Sequence, residues 1–346
     1  MKSRANEVDA YLRSYAEEKN FSGIVRVTSH DEIVYSGAFG KASYESGAEF
    51  TDVSMFSFYS LSKPFCAIGL LALYDKGLVD IDAHPSLYLP EAKGFDPRVK
   101  IRHMLHHVSG IPDLELSLKD IDDKDILNKS VREQLLAIAK LPMVFEPNTR
   151  GMYVNANFVI SSLIIESVTG LDYAEYMKKE VFTPLGMKTA VVDTGCIEIP
   201  NRVQGYEYRD GRVAVDKATL WMKGAGDIVG TADDVYRLNH AIKHKLLLKP
   251  ETWEMALTPS RLNHMGMGCT VVDWYGKHRI IHNGGHTGFR TLHVQLPEYD
   301  FDIIILSNNG WGDARNEISA ALHDIYFGEH TTPNVAVAMD TGYAKP

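Results

Sequence analysis

Apolar positions at the start of the chain follow a helical period first and an alternating pattern afterwards. Within residues 7–18, apolar side chains recur at helical spacing from Val8 to Ala16, which predicts an amphipathic helix. Residues 23–28 and 32–38 are rich in β-branched side chains, and the Ser-His-Asp sequence between them is typical of a turn. The pattern predicts a helix followed by a β-hairpin.

Helical spacing dominates the middle of the chain, from Lys63 to about Lys245. Prolines and glycines between the apolar stretches indicate loops. The predicted helices are 65–75, 101–107, 131–139, 156–169, 173–181 and 232–244.

Strand patterns return near the end of the chain. They occupy residues 265–273, 277–282, 290–296 and 301–307, with turns at 274–276 and 297–300. Ile318, Leu322, Ile325 and Tyr326 then form one last helical stripe.

Strands at both ends with helices between them predict an α+β fold. We expect the two ends to share one antiparallel β-sheet flanked by helices, with a mainly helical domain inserted into it. The expected bounds are 1–62 together with 246–346 for the discontinuous sheet domain, and 63–245 for the helical domain. The tail, 328–346, shows no clear period, and its role is open.

Composition narrows the classes of partner. The 346 residues are 45% hydrophobic and 23% charged, as in ordinary globular proteins, and the net charge of −9 argues against nucleic acid or an anionic membrane as a partner. The first twenty residues lack the basic tip and apolar core of a signal peptide, so we expect no membrane anchor and a cytoplasmic chain. The three cysteines are widely spaced, which favours buried thiols: Cys66, Cys196 and Cys269.

A hydroxyl and an amine stand three residues apart where the first middle helix is predicted to start. On a helix, Ser60 and Lys63 lie about one turn apart on the same face. Serine needs a base to become a nucleophile, and lysine serves as that base only when its surroundings favour the neutral form. The pair also lies where the sheet domain meets the helical domain, a common place for ligand clefts.

Two further stretches carry candidate chemistry. Tyr153 and Asn155 lie in a loop just before a predicted helix, where the phenol can exchange a proton and the amide can hold a carbonyl or an amine. The stretch from His282 to Gly288 follows a predicted strand and contains Gly284 and Gly285. Such glycines let a ligand approach the backbone closely, so its N–H groups can bind an acyl oxygen.

The three stretches, in this order, resemble the serine β-lactamase and penicillin-binding-protein superfamily, in particular its class C and D,D-carboxypeptidase-like branch. Ser60 to Lys63 matches the S-x-x-K motif. Tyr153 to Asn155 matches Y-x-N, and His282 to Gly284 takes the place of K-T-G or H-x-G. The flanking segments resemble the family as well, over about residues 20–327, at 101–112, 182–188 and 224–234.

The resemblance implies a serine acyl hydrolase that forms a covalent acyl-enzyme on an amide or ester bond of a small-molecule or peptide substrate, with no metal or organic cofactor. It implies that Ser60 attacks the acyl carbon, Lys63 accepts its proton, and Tyr153 passes a proton to the leaving group and later activates water. Asn155 would position Lys63 and the substrate. His282 and Gly284 would line the pocket, and the N–H groups of Ser60 and Gly285 would form the oxyanion hole.

His282 and Asn283 depart from the lysine and the threonine or serine that family β-lactamases commonly carry. Histidine is a weaker, pH-dependent cation, which leaves room for esterase, amidase or D-amino-acid peptidase activity. One alternative is a carboxylesterase without β-lactamase activity, and another is a catalytically silent binding or regulatory module. A third is a zinc hydrolase at His103 and His107, although no third ligand is evident.

Overall fold

A computed structural model describes residues 2–215, 222–274, 276–312 and 314–328. Within them the α-helices are α1 (Lys2–Lys19), α2 (Lys63–Asp75), α3 (Ile101–Leu105), α4 (Val131–Ile138), α5 (Ala156–Thr169), α6 (Tyr173–Met177), α7 (Ala232–Lys243), α8 (Pro250–Leu257) and α9 (Ala314–Phe327). The strands are β1 (Gly23–Ser29), β2 (Glu32–Phe39), β3 (Phe56–Ser57), β4 (Val191–Val192), β5 (Tyr206–Tyr208), β6 (Arg212–Ala214), β7 (Ile228–Gly230), β8 (Thr270–Trp274), β9 (Lys277–His286), β10 (Phe289–Leu296) and β11 (Phe301–Ser307).

One six-stranded antiparallel sheet joins the two ends of the chain. Its strand order is β2-β1-β11-β10-β9-β8, so the first hairpin pairs directly with the last strand. Gly23 lies opposite Ser307 and Ser29 opposite Phe301. The predicted α+β fold with a shared antiparallel sheet is confirmed.

Each face of the sheet supports a different apolar cluster. Because side chains alternate along a strand, the cross-strand pair Val25 and Ile305 faces the cluster formed with α1 and α9. The next pair, Ile24 and Leu306, faces the cluster that continues into the helical region. The sheet is therefore covered by helices on both faces.

Helix α2 is the centre of the helical region. Every residue from Lys63 to Leu73 is buried, as expected for a helix that is apolar around most of its circumference, and α2 packs against α5. The predicted helix 156–169 is confirmed to the residue as α5. The predicted helix 173–181 ends earlier, at Met177, and continues as a π-helical turn, Lys178–Phe182.

The middle of the chain also contains short strands that the apolar pattern did not predict. Strands β3, β7 and β4 form a three-stranded sheet, and β5 pairs with β6. Two or three residues are too few to show an alternating pattern. Helix α8 was also missed.

The expected domain bounds remain a prediction. Helix α7, which lies in the stretch assigned to the helical domain, packs against β10 and β11, and its Asn239 accepts a hydrogen bond from Gln295 at 2.9 Å. The tail at 329–346 and the centre of the predicted 274–276 turn lie outside the described residues. No helix among the described residues is both long enough and apolar enough to cross a lipid bilayer.

Candidate active site

The backbone around Ser60 is unusual in conformation. Strand β3 leads into a 3₁₀ turn, Tyr59–Ser62, which runs directly into α2. Tyr59 has φ of +49°, in the left-handed region that costs a side-chain-bearing residue about 1–2 kcal/mol. Its ring is buried, and its hydroxyl donates to the Thr287 carbonyl at 3.2 Å. This sharp bend sets the position of Ser60 at the start of the helix.

The lysine lies within hydrogen-bond distance of the serine, as its spacing predicts. Lys63 Nζ lies 2.9 Å from Ser60 Oγ and donates to the Ala225 carbonyl at 2.8 Å. The lysine side chain is fully buried, and this burial lowers its pKa to about 7. Pro64 occupies the first turn of α2, where its missing N–H has no intrahelical acceptor. Lys63 therefore has a large neutral fraction at neutral pH.

The loop before β7 fixes the carbonyl that holds Lys63. Asp227 accepts a hydrogen bond from the Gly224 N–H at 2.9 Å, which closes the turn around Ala225. At the end of this loop, the Ile228 N–H donates to Ser62 Oγ at 3.0 Å. Burial raises the pKa of Asp227 to about 7, and its charge in turn raises the pKa of Lys63. A second titratable group thus acts on the candidate base.

Tyr153 packs beside Lys63, with its ring centroid 4.7 Å from Nζ. Its other neighbour is His107, whose ring stacks on it at a centroid distance of 4.3 Å. Burial raises the pKa of Tyr153, while the nearby Ser60 hydroxyl lowers it. The phenol oxygen nevertheless has no hydrogen bond of ordinary geometry within the described residues. Tyr153 is therefore a neutral phenol facing the serine, with its proton available.

His107 has a single neutral tautomer. Its Nδ1 accepts a hydrogen bond from the Val154 N–H at 3.0 Å, so the proton is on Nε2. Burial and, to a smaller extent, the Lys63 charge lower the pKa of His107 well below its ordinary value. The histidine supports the loop that carries Tyr153.

A buried carboxylate positions the start of α5. Asp113 Oδ2 accepts from the Asn155 N–H at 2.5 Å and from the Ala156 N–H at 3.3 Å. These groups are the unsatisfied donors of a helix start, so Asp113 caps α5. Asp234 acts in the capping box of α7 with Thr231. Asn155 precedes α5 directly and is buried.

Strand β9 forms the opposite side of the site. The predicted strand ends at His282, but β9 continues to His286, because two consecutive glycines gave no side-chain pattern to read. Gly284 lies tightly against the nucleophile segment: a Cβ there would be 1.9 Å from the Phe58 carbonyl oxygen. The same oxygen accepts from the Thr291 hydroxyl at 2.8 Å. Only glycine fits between these groups.

His282 is a neutral hydrogen-bond acceptor. Its Nδ1 lies 2.6 Å from the Asn283 carbonyl oxygen, which can only accept, so Nδ1 carries the proton and Nε2 holds a lone pair. The ring is fully buried with its centroid 6.4 Å from that of Tyr153. Burial and the Lys63 charge lower the pKa of His282 well below its ordinary value. The position where the family commonly has a cation is therefore uncharged.

Two arginines lie beside Gly285. A Cβ on this glycine would be 3.2 Å from the Arg290 side chain and 3.4 Å from that of Arg315. Arg315 donates to the Gly284 carbonyl at 2.6 Å, and Arg290 donates to the His286 carbonyl at 2.7 Å. These cations were missed in the sequence because they come from β10 and α9, outside any motif.

The site thus combines residues predicted from three distant stretches: Ser60, Lys63, Tyr153, Asn155, His282, Gly284 and Gly285. Sequence reasoning missed the Ala225 carbonyl, which no side-chain pattern reveals. It also missed Asp227 and the stacking role of His107. Cys66 and Cys269 are buried as predicted, whereas Cys196 is exposed and that prediction is wrong. Burial raises the pKa of the Cys66 thiol to about 12.

The zinc alternative fails on geometry. Helix α3 ends at Leu105, so His103 and His107 do not share a helix face, and His107 has φ of +56°. His103 Nδ1 instead accepts from the Lys100 N–H at 3.2 Å. In the described part of the chain, neither histidine belongs to a group of three side chains that could hold a metal ion.

Comparison with known proteins agrees with this geometry. The Beta-lactamase family profile matches residues 8–324. Penicillin-binding protein 4* of Bacillus subtilis (strain 168) is 28% identical over 330 residues, covering 88% of this chain and 72% of the relative. Esterase EstB of Burkholderia gladioli is 27% identical over 306 residues, covering 77% and 76% of the two chains.

A solved structure shows the same fold. The D-amino acid amidase from Ochrobactrum anthropi SV3, complexed with L-phenylalanine amide, superposes with a TM-score of 0.80 at 22% identity, covering 95% of this chain and all of that one. The resemblance inferred from the motifs is confirmed. The chain therefore belongs to the Beta-lactamase family, and it is a serine hydrolase with the fold of β-lactamases and penicillin-binding proteins.

Proposed function

We propose that Ser60 is the nucleophile of this hydrolase and that neutral Lys63 is its base. The observation that carries the proposal is the 2.9 Å approach of a fully buried lysine to the serine hydroxyl. With a pKa of about 7, Lys63 has a lone pair at neutral pH, and its N–H to the Ala225 carbonyl directs that lone pair toward Ser60. A base with a pKa near the working pH is the efficient choice.

Acylation then follows from the positions of these groups. Ser60 Oγ forms a bond to the substrate acyl carbon while its proton moves to Lys63 Nζ. The oxygen of the resulting tetrahedral intermediate is held by the backbone N–H groups of Ser60 and Gly285, a type of interaction that contributes about 3–4 kcal/mol per donor in other enzymes. The bond between the acyl carbon and the leaving group breaks, and the leaving group takes a proton.

Tyr153 delivers that proton. Because burial raises its pKa, the phenol is protonated throughout the working range and donates without first becoming a phenolate. The protonated Lys63 beside its ring replaces the proton. In deacylation the same groups act in reverse: a water loses a proton to this pair, attacks the acyl carbon, and Ser60 leaves with a proton. Asn155 positions Lys63 and the substrate.

The substrate class that we propose is a carboxylic ester or amide without a carboxylate next to the reacting bond. The support is His282: it offers a lone pair on Nε2 where related β-lactamases commonly have a lysine. A lone pair repels a carboxylate and accepts from a hydroxyl or an N–H. A neutral ester, or an amide of an amino acid with a free amine, fits this environment.

A second candidate is a peptide-like substrate with a carboxylate, for which Arg290 and Arg315 supply positive charge beside Gly285. A D-aminopeptidase of Gluconobacter oxydans, 24% identical and spanned to 55% of its length by this chain, is a relative whose name fits the first candidate, an amide of an amino acid with a free amine. We keep the ester or amide as the leading candidate because the Lys63 charge acts directly on His282.

The test is a substrate panel measured by kcat/KM. It contains p-nitrophenyl acyl esters, p-nitroanilides of D- and L-amino acids, a D-Ala-D-Ala peptide and a chromogenic cephalosporin. We expect the esters or D-amino-acid anilides to react fastest and Ser60→Ala to abolish turnover. Preferred turnover of the cephalosporin or the D-Ala-D-Ala peptide would favour the arginine-based candidate instead.

A further inference from the structure

A second cluster of ligating side chains lies where the first β-hairpin meets α7. The hairpin turn contributes Asp31, and the end of α7 contributes His240 and His244. One ligating atom from each of the three lies within 4.8 Å of the other two. None of these residues belongs to the proposed catalytic machinery.

The helix places the two imidazoles on the same face. Residues four apart are one turn apart, and the rings of His240 and His244 lie with their centroids 4.2 Å apart. A pair of histidines at this spacing is the ligand arrangement found on metal-binding helices.

The third ligand is held in place independently. His30 and Asp31 both have positive φ, +55° and +60°, as in a tight type I′ hairpin turn. The Asp31 carbonyl accepts from the Tyr236 hydroxyl at 3.1 Å, so α7 fixes the turn at a point away from the histidines. The carboxylate Oδ2 lies 3.0 Å from His244 Nε2. These contacts pre-organise the carboxylate for a ligand shared with the rings.

From this geometry we propose that Asp31, His240 and His244 bind one divalent first-row metal ion, with Zn²⁺ as the probe. Two imidazoles and a carboxylate are a usual ligand set for this ion. Ligand atoms around a tetrahedral Zn²⁺ are about 3.3 Å apart for bonds of about 2.0 Å. Binding therefore requires the three ligand atoms, now within 4.8 Å of one another, to close to that spacing. The ion would join the hairpin turn to α7.

Lys243 is the group that opposes binding. Its ammonium lies 2.8 Å from the other oxygen of Asp31 and also contacts Asp300. Asp300 neutralises part of that charge, and the Oδ2 oxygen stays on the side of the histidines. The ammonium still repels a divalent cation, so removing it should tighten binding rather than weaken it.

The test is titration of the chelator-treated full chain with ZnCl₂ by isothermal calorimetry, together with the midpoint of thermal unfolding. We expect one Zn²⁺ per chain and a higher midpoint with the ion. His240→Ala and His244→Ala should each weaken binding at least about tenfold, since even outer-shell partners of metal sites cost 10–100-fold when lost. Asp31→Asn should also weaken it.

Two further variants keep the result interpretable. His278→Ala removes an exposed histidine that pairs with one carboxylate, Asp273, at 3.2 Å, and it should leave the affinity unchanged. Lys243→Gln should raise the affinity severalfold, a gain that misfolding cannot produce. The proposal is overturned if the wild type shows no saturable binding, or if His240→Ala binds as tightly as His278→Ala.

Discussion

The two walls of the active site differ in how firmly the surrounding protein holds their residues. The nucleophile wall consists of Tyr59 to Lys63 with Tyr153, and its lysine is fully buried and hydrogen-bonded on both sides. The strand wall is the end of β9 from His282 to His286. It extends past the last residue pair with β8, Thr270 opposite Ile281, and has β10 as its sheet neighbour.

We infer that the nucleophile wall carries out the reaction and that the strand wall selects the substrate. Burial is the largest influence on the pKa of both Lys63 and Tyr153, so the protein itself prepares these two groups. The strand wall instead carries the neutral His282, which departs from the common family pattern, and the arginines beside Gly285. Changes to the first wall should therefore lower the rate for every substrate, and changes to the second should alter the order of substrates.

The largest effect is expected from the base of the nucleophile wall. Lys63→Met keeps the side-chain volume and apolar packing but removes the lone pair. We expect kcat/KM to fall by about 10³–10⁴ for all substrates, at the upper end of what a positioned general base contributes. Circular dichroism should show a folded protein, because the buried amine is replaced by an apolar group. A loss confined to one substrate class would contradict the proposed role.

Two neighbouring glycines offer a matched test of the strand wall. Gly284→Ala puts a Cβ 1.9 Å from a backbone oxygen, so β9 must move away from the nucleophile segment. A displacement of about 1 Å costs about 10²-fold in rate. In Gly285→Ala the three atoms nearest to the new Cβ belong to arginine side chains, at 3.2 Å or more, and the N–H proposed for the oxyanion hole is kept.

We therefore expect Gly285→Ala to retain activity within a few-fold of the wild type, with its effect depending on the substrate. Steady-state kinetics on an ester and on a D-amino-acid anilide measure both variants. Equal losses in the two variants would mean that the contact between Gly284 and Phe58 does not set the catalytic geometry.

Tyr153→Phe should have a smaller effect that depends on the leaving group. Without the phenol, the leaving group has no nearby proton donor, so amides, which need protonation to leave, should lose about 10²-fold. Activated p-nitrophenyl esters should lose less, since their leaving group departs as an anion. Comparing kcat/KM for the two substrate types measures this, and an equal loss for both would refute the role as proton donor.

The smallest effect is expected on the pH profile. Because Lys63 acts only when neutral and its pKa is about 7, kcat/KM should rise as the pH increases through 7 and then level off. The Asp227 charge raises the pKa of Lys63, so Asp227→Asn should move this midpoint to lower pH by a fraction of a unit. The amide oxygen can still accept from Gly224, which keeps the loop intact. A midpoint that moves upward would contradict this electrostatic link.

The sequence predicted the elements whose apolar pattern is long enough to read. Helix α5 and strand β11 match their predicted bounds to the residue. The two-residue strands β3 and β4 have no period, and the glycines of β9 removed the pattern beyond His282.

In the candidate site too, the sequence predicted only what residue type and spacing define. Side-chain chemistry such as that of Ser60 and Lys63 is visible in the sequence, because residue type and spacing define it. Backbone chemistry is not: the Ala225 carbonyl acts through an atom that every residue has, and the positive φ of Tyr59 arises from its packing. The role of His107 beside Tyr153 is not visible in the sequence either, because its stacking on Tyr153 joins two distant loops.

The most direct test of the central claim is the rate and position of covalent labelling. The wild type, Ser60→Ala and Lys63→Met are incubated with a serine-directed fluorophosphonate and with a β-lactam, and analysed by intact mass and peptide mapping. We predict one adduct per chain on Ser60 with the phosphonate, none in Ser60→Ala, and labelling slowed by about 10²-fold or more in Lys63→Met. An adduct on another residue, or labelling as fast in Lys63→Met as in the wild type, would contradict the account.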